Sequence, residues 1–116
     1  MQTAVKKFDL IVIGGGSGGN GMARRAVKFG KKVCVVEHKR MGGTCVNVGC
    51  VPKKVTWNLA FHLEDFHHLK SRGCMTGEIS MDWPVMKKLR DEYILFLNNI
   101  YLNNYKNEEI GKIIIV

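Results

Sequence analysis

Residues 8–37 read FDLIVIGGGSGGNGMARRAVKFGKKVCVVE, and this stretch decides the fold. Residues 8–13 are apolar and largely β-branched, a composition suited to a strand buried in a parallel sheet. Gly14-Gly15-Gly16-Ser17-Gly18-Gly19 follows, and residues 20–29 then carry a helical pattern that Gly30 stops. Residues 32–37, KVCVVE, form a second apolar strand. The order is strand, glycine turn, helix, strand, which is one βαβ unit with a right-handed crossover. The expected fold class is therefore α/β, built on a parallel sheet.

Gly14, Gly16 and Gly19 fit G-x-G-x-x-G, with Glu37 eighteen residues past the last glycine. Alone the pattern is weak; its place between a strand and a helix gives it force as a dinucleotide-binding fingerprint. Gly14 permits the tight turn, Gly16 lets the backbone approach a pyrophosphate, and Gly19 lets helix and strand pack closely. Free N–H groups and the positive helix end would face the phosphates. A carboxylate at Glu37 accepts hydrogen bonds from ribose hydroxyls and repels a 2′-phosphate, which suits FAD or NAD rather than NADP. The alternative is a glycine-rich turn with an incidental acid. Gly21 costs the helix about 1 kcal/mol relative to Ala, unless it admits something bulky.

The 116 residues allow one domain. A hydrophobic fraction of 46% with 24% charged residues argues against disorder. The apolar run at 8–13 is too short to span a bilayer, which takes about 20 residues, and no signal-peptide pattern precedes it. A cytoplasmic chain is expected, with mitochondrial placement as the alternative and no membrane partner. The net charge of +8 comes from basic pairs scattered along the chain, such as Lys6-Lys7, Arg24-Arg25 and Lys87-Lys88. With no basic run or recognisable motif, attraction to small anions is a better reading than nucleic-acid binding.

Cysteines stand at 34, 45, 50 and 74. No pair has the short spacing of zinc ligands, so no metal site is expected. Cys45 and Cys50, within GGTCVNVGCVPKK (42–54), are five apart. A regular helix would hold their Cα atoms roughly 8–9 Å apart, beyond the reach of about 7 Å that a disulfide allows. Bridging would need a distorted helix, and Gly49 is the residue that permits it. A link closing so small a loop restrains little of the unfolded chain, so the pair reads as a redox centre or as two unrelated thiols. Lys53 lies about one turn past Cys50, where its charge and a helix N-terminus would stabilise a thiolate. A solvated Lys53-Lys54 pair is the alternative. Cys34, in the second strand, and Cys74, in a turn, read as incidental thiols.

The strand-GGGSGG-helix unit followed by GGTCVNVGCVPKK resembles the pyridine nucleotide–disulfide oxidoreductases, and RDEYILFLNNIYLNNY (90–105) looks like their glutathione reductase branch. The match runs from about Phe8 to Tyr105. Dihydrolipoyl dehydrogenases and mercuric reductases usually have Ser where Lys53 stands. Thioredoxin- or trypanothione-type reductases, which share the cysteine segment, remain alternatives, as does a non-catalytic FAD-binding module. The departures are Asn20 and Gly21, where small or apolar residues such as Ala are usual, and Met41, where Leu is common.

The resemblance implies a Rossmann-like FAD-binding domain carrying a redox-active disulfide. It further implies electrons drawn from NADPH, glutathione disulfide as substrate, and a homodimer in the full-length family. Gly14, Gly16, Ser17 and Gly18 would line the FAD pyrophosphate, with Glu37 on the adenosine ribose and Thr44 near the cofactor. Cys50 would be the thiol beside the flavin, Cys45 the interchange thiol that attacks the substrate, and Lys53 a tuner of flavin electron affinity. Ser17, Arg24 and Tyr101 would hold glutathione.

Residues 53–69 place Val55, Leu59, Leu63, Phe66 and Leu69 at near-helical spacing, a core-facing stripe that Ser71-Arg72-Gly73 ends. Asp82 is a good N-cap for a second helix with Pro84 in its first turn. Its expected inward stripe is Met86, Leu89, Tyr93, Leu97 and Ile100, with Tyr101 beside it. Residues 112–116, KIIIV, begin another strand. No second glycine fingerprint follows, so residues 1–116 are expected to be the N-terminal part of a longer FAD-binding domain. The NADPH and dimerisation domains lie outside it, and the piece alone is expected to be inactive.

Overall fold

A computed structural model describes residues 5–106 and the backbone of 113–115. In chain order the elements are β1 (Leu10–Ile13), α1 (Ser17–Lys28), β2 (Val33–Glu37), α2 (Gly43–Val48), α3 (Cys50–Ser71), α4 (Trp83–Lys106) and β3 (Ile113–Ile115). The strands form one parallel sheet in the order β1-β2-β3. Leu10 pairs with Val33 and Ile13 with Val36, while Val35 pairs with Ile113 and Glu37 with Ile115. The βαβ unit and the strand expected near the C-terminus are both present. Lys112 and Val116 of that expected strand lie outside the described residues.

Gly14 occupies a positive φ of +104°, a conformation that favours glycine, and ends β1 with its N–H on the Val36 carbonyl at 2.7 Å. A Cβ at Gly19 would collide with the Gly14 carbonyl oxygen and crowd Val12 at 3.1 Å. These two positions let α1 lie directly on β1. The helix begins at Ser17, not at residue 20 as expected. Its extended N-cap, Gly16, turns the chain early, and Ser17, Gly18 and Gly19 are already helical. Gly30, at φ +70°, ends the helix with its N–H on the Val27 carbonyl at 2.8 Å.

Val12, Ala23, Val33, Val35, Met41 and Tyr105 make the core, with Leu10, Ala26, Val27, Tyr101 and Leu102 packed around it. Burial of β1 is one-sided, against expectation. Val12 is buried, whereas Ile11 is 59% and Ile13 87% exposed. The reason is that α1 covers one face of this edge strand, and among the described residues nothing covers the other.

The remaining helices form a long projection. Molecular extents are 74 × 30 × 20 Å. The radius of gyration is 20.7 Å, against about 13 Å for a compact globule of this length. Asp82 caps α4 as expected, its carboxylate accepting from the Val85 N–H at 3.0 Å. The α3 stripe is placed correctly, but Val55, Leu59, Leu63, Phe66 and Leu69 are only half-buried, because a second helix alone cannot cover it. The inward face of α4 differs from the expected one. Met86, Ile94, Asn98 and Tyr105 are buried, whereas Leu89, Tyr93 and Ile100 are exposed. Arg90 and Asn98 interrupt the true stripe with polar side chains, which disguised its period. No described helix is long and apolar enough to cross a membrane.

Candidate active site

The glycine elbow and the cysteine segment meet through their backbones. The Gly42 N–H donates to the Gly15 carbonyl at 2.9 Å, and Gly16 and Gly42 form a parallel bridge. A Cβ at Gly43 would come within 2.8 Å of the Gly16 Cα, so the contact requires bare backbone on that side. It sets the start of α2 beside the start of α1. The first intrahelical bond of α1 runs from the Asn20 N–H to the Gly16 carbonyl at 2.9 Å. The Ser17, Gly18 and Gly19 N–H groups therefore precede the helical ladder, and the first turn holds no acidic residue. Cβ positions at Gly14 and Gly18 would meet no atom within 4 Å, leaving open space along the elbow.

Glu37, at the end of β2, is buried and already occupied. One carboxylate oxygen accepts from the Gly15 N–H at 2.7 Å and the other from the Lys39 N–H at 2.8 Å. The Lys39 bond first, and the Gly15 bond next, hold its pKa below the ordinary carboxylate value. The expected ribose-binding carboxylate is thus first a clamp on the elbow, with lone pairs to spare for a further donor. Together with Thr44 it lines a cleft of about 390 Å³, shared with Lys39, Arg40, Gly43, Asn47 and Val48.

Two helices separated at Gly49 carry the cysteines, as the spacing argument required of a close pair. Gly49 has φ −126° and ψ −112°, and a Cβ there would crowd the Thr44 carbonyl oxygen at 2.9 Å and the Cys45 Cα at 3.3 Å. All four cysteines are free thiols, and Cys45 and Cys50 stand on either side of Gly49 as the dithiol form of the expected redox pair. A hydrogen bond with the Cys45 thiol, followed by desolvation, raises the Cys50 pKa above its ordinary value. The Lys53 ammonium lies 5.1 Å from the Trp57 ring centroid, a cation–π contact one turn along α3. Val48, Gly49, Pro52, Lys53, Thr56, Trp57, Ala60 and Arg90 line an adjoining groove of about 490 Å³.

A third cleft, of about 300 Å³, brings Tyr101 of α4 to Ser17 and Arg24 of α1. Asn20, Gly21, Arg25 and Lys28 complete its lining and give it three cations.

Sequence reasoning missed the polar staples behind these clefts. The Asn98 amide nitrogen donates to the Met41 carbonyl at 2.8 Å and to the Asn47 side-chain oxygen at 3.0 Å. Asn47 in turn donates to the carbonyls of Gly43 at 2.9 Å and Met41 at 3.1 Å. Together they fasten α4 to the cysteine-bearing α2. An asparagine on the inward stripe of α4 was the available signal. Among the described residues, no three His, Cys, Asp or Glu side chains come together as a metal site.

Residues 8–112 match the family model described as pyridine nucleotide-disulphide oxidoreductase, and the chain belongs to that family. Within it, the chain is similar to three glutathione reductases. It is 50% identical to that of Debaryomyces hansenii, over 95% of this chain and 24% of the relative. The Schizosaccharomyces pombe reductase is 47% identical over 97% of this chain and 25% of its own length. That of Yarrowia lipolytica is 42% identical, over 94% of this chain and 24% of its own length. The chain thus spans about a quarter of the length of the curated relatives it matches.

Proposed function

We propose that this chain provides the FAD-binding elbow and the dithiol of an NADPH-dependent glutathione-disulfide reductase. The observation that carries the reading is the backbone contact of Gly16 with Gly42, which sets the glycine elbow beside α2, the helix that bears Cys45, with Cys50 opening α3 just beyond it. The residues present suit FAD. The Ser17 and Gly18 N–H groups precede the helical ladder, Gly14 and Gly18 leave open space for a pyrophosphate that Gly16 would also line, and the Glu37–Thr44 cleft suits the adenosine ribose. When bound, the flavin supplies two-electron transfer from the pyridine nucleotide to the sulfurs. Pyridine-nucleotide binding would fall to the three quarters of the relatives' length that this chain does not span.

The chain's own part is thiol–disulfide exchange. The Cys45 thiolate attacks one sulfur of glutathione disulfide. Its S–S bond breaks, one glutathione leaves as thiolate and takes a proton, and a mixed disulfide remains on Cys45. The Cys50 thiolate then attacks the Cys45 sulfur, releasing the second glutathione and leaving both cysteines oxidised. Two electrons have passed from the dithiol to the substrate. Ser17, Arg24 and Tyr101 hold the substrate in the cationic cleft, where the guanidinium matches a carboxylate. Lys53 lines the groove that borders Gly49, and is assigned to tuning the flavin. A homodimer fits the same reading, since α4 exposes Leu89, Tyr93 and Phe96 to a covering partner.

The test uses the full-length protein, which should retain FAD and oxidise NADPH when glutathione disulfide is added. Two-electron reduction should produce a long-wavelength absorption band that Cys50→Ser removes. A colourless protein that refuses FAD, or a band that survives the substitution, overturns the assignment.

A further inference from the structure

Asn20 departs from the small or apolar residue usual at its place, and the structure gives it a partner 85 residues away. The Tyr105 hydroxyl donates to the Asn20 side-chain oxygen at 2.7 Å. Tyr105 is 5% exposed, its ring packed in the core with Ala23 and Met41, so the hydroxyl reaches α1 from inside. Asn20 also lines the cationic cleft with Ser17, Arg24 and Tyr101. Tyr101 stands one turn before Tyr105 on the same face of α4 and packs against the same core. Burial and then Tyr101 raise the Tyr105 hydroxyl's pKa, while Arg24 opposes them, so all three share one neighbourhood. Gly21 adds nothing that would fill the cleft, because a Cβ there would meet no atom within 4 Å.

We infer that Asn20 and Tyr105 form a latch between α1 and the last turns of α4. It fixes Tyr101 as the wall of the substrate cleft, making both latch members positioning residues for the disulfide substrate. The hydrogen bond also decides how Asn20 is used. Tyr105 occupies the carbonyl end of the amide. The tie acts at the core end of α4, one turn from the wall it positions. The inference rests on the glutathione-disulfide reading and deepens it.

The experiment compares the full-length protein with its Asn20→Ala, Tyr105→Phe and doubly substituted variants. Tyr105→Phe keeps the buried ring and removes only the hydroxyl, so it tests the latch without emptying the core. Each single change should raise KM for glutathione disulfide about fivefold and leave kcat within about twofold, the pattern of lost binding without lost chemistry. The double variant should be no worse than either single one, because the two groups make one interaction. Equilibrium binding of glutathione disulfide to the oxidised protein should weaken by the same factor. Unchanged KM and affinity in both single variants, or effects that simply multiply, overturn the latch while the reductase reading stands. An unsubstituted protein that neither binds nor reduces glutathione disulfide removes the reading, and the latch with it.

Discussion

The elbow at residues 14–49 and the hairpin of α3 and α4 are built on opposite principles. In the elbow, positions are fixed by side chains that are missing: Gly19 against the Gly14 carbonyl, Gly43 against Gly16, Gly49 against Thr44. Backbone lies on backbone there, and a methyl group is enough to spoil the fit. The hairpin is held by side chains that are present, and sparsely. No residue of α3 is fully buried, and α4 depends on Met86, Ile94, Asn98 and Tyr105. The comparison teaches that geometry is specified most tightly where phosphate and thiol chemistry is proposed. Elsewhere, much apolar surface is left uncovered.

The sharpest way to break this contrast is Gly19→Ala. The new methyl would overlap a main-chain oxygen that cannot move without undoing β1. Urea unfolding of the full-length protein should show a loss of about 4 kcal/mol or more, and FAD should not be retained on purification. A loss under about 1 kcal/mol would mean the elbow is softer than its contacts indicate. On the hairpin, Ile94→Ala should cost about 2–4 kcal/mol, the range for a buried aliphatic truncation.

Glu37→Gln keeps the shape of the clamp and removes its charge, and should cost about 1.5–3 kcal/mol at neutral pH. The sign with pH follows from the lowered pKa of Glu37. Its contribution is complete above the ordinary glutamate value of about 4.3, and disappears as pH falls through the lower folded value. Acid unfolding of the Gln variant should therefore be shallower across that window. Equal slopes for the two proteins would detach Glu37 from acid stability.

The smallest effect belongs to the outer face of α4. Leu89 is 60% exposed, and Leu89→Ala should change stability by about 0.5 kcal/mol or less. A cost that grows with protein concentration would instead show that this face is covered by another copy.

The same contrast explains what was legible in the sequence. Gly14, Gly19 and Gly49 could be read because steric exclusion acts between near neighbours in the chain, and Asp82 because an N-cap is local. The inward face of α4 was not legible. Arg90 and Asn98 sit on it, and the burial of Asn98 depends on the distant carbonyl of Met41 and side chain of Asn47. Spacing placed Lys53 near Cys50, but Trp57 one turn on gives its ammonium another partner. Glu37 was legible as an acid near the elbow, though not as an acceptor for Gly15 and Lys39, because backbone donors leave no mark in a sequence. The cleft of Ser17, Arg24 and Tyr101 came from the resemblance, and its tie through Asn20 and Tyr105 only from the coordinates.

The bare side of β1 has a consequence for biogenesis. Ile11 and Ile13 are 59% and 87% exposed, and among the described residues nothing covers them. A nascent polypeptide with only these elements folded would offer a sticky sheet face to its neighbours on the same polysome. Chaperone attendance during translation is the expected remedy, and inclusion bodies the expected fate of the piece produced by itself.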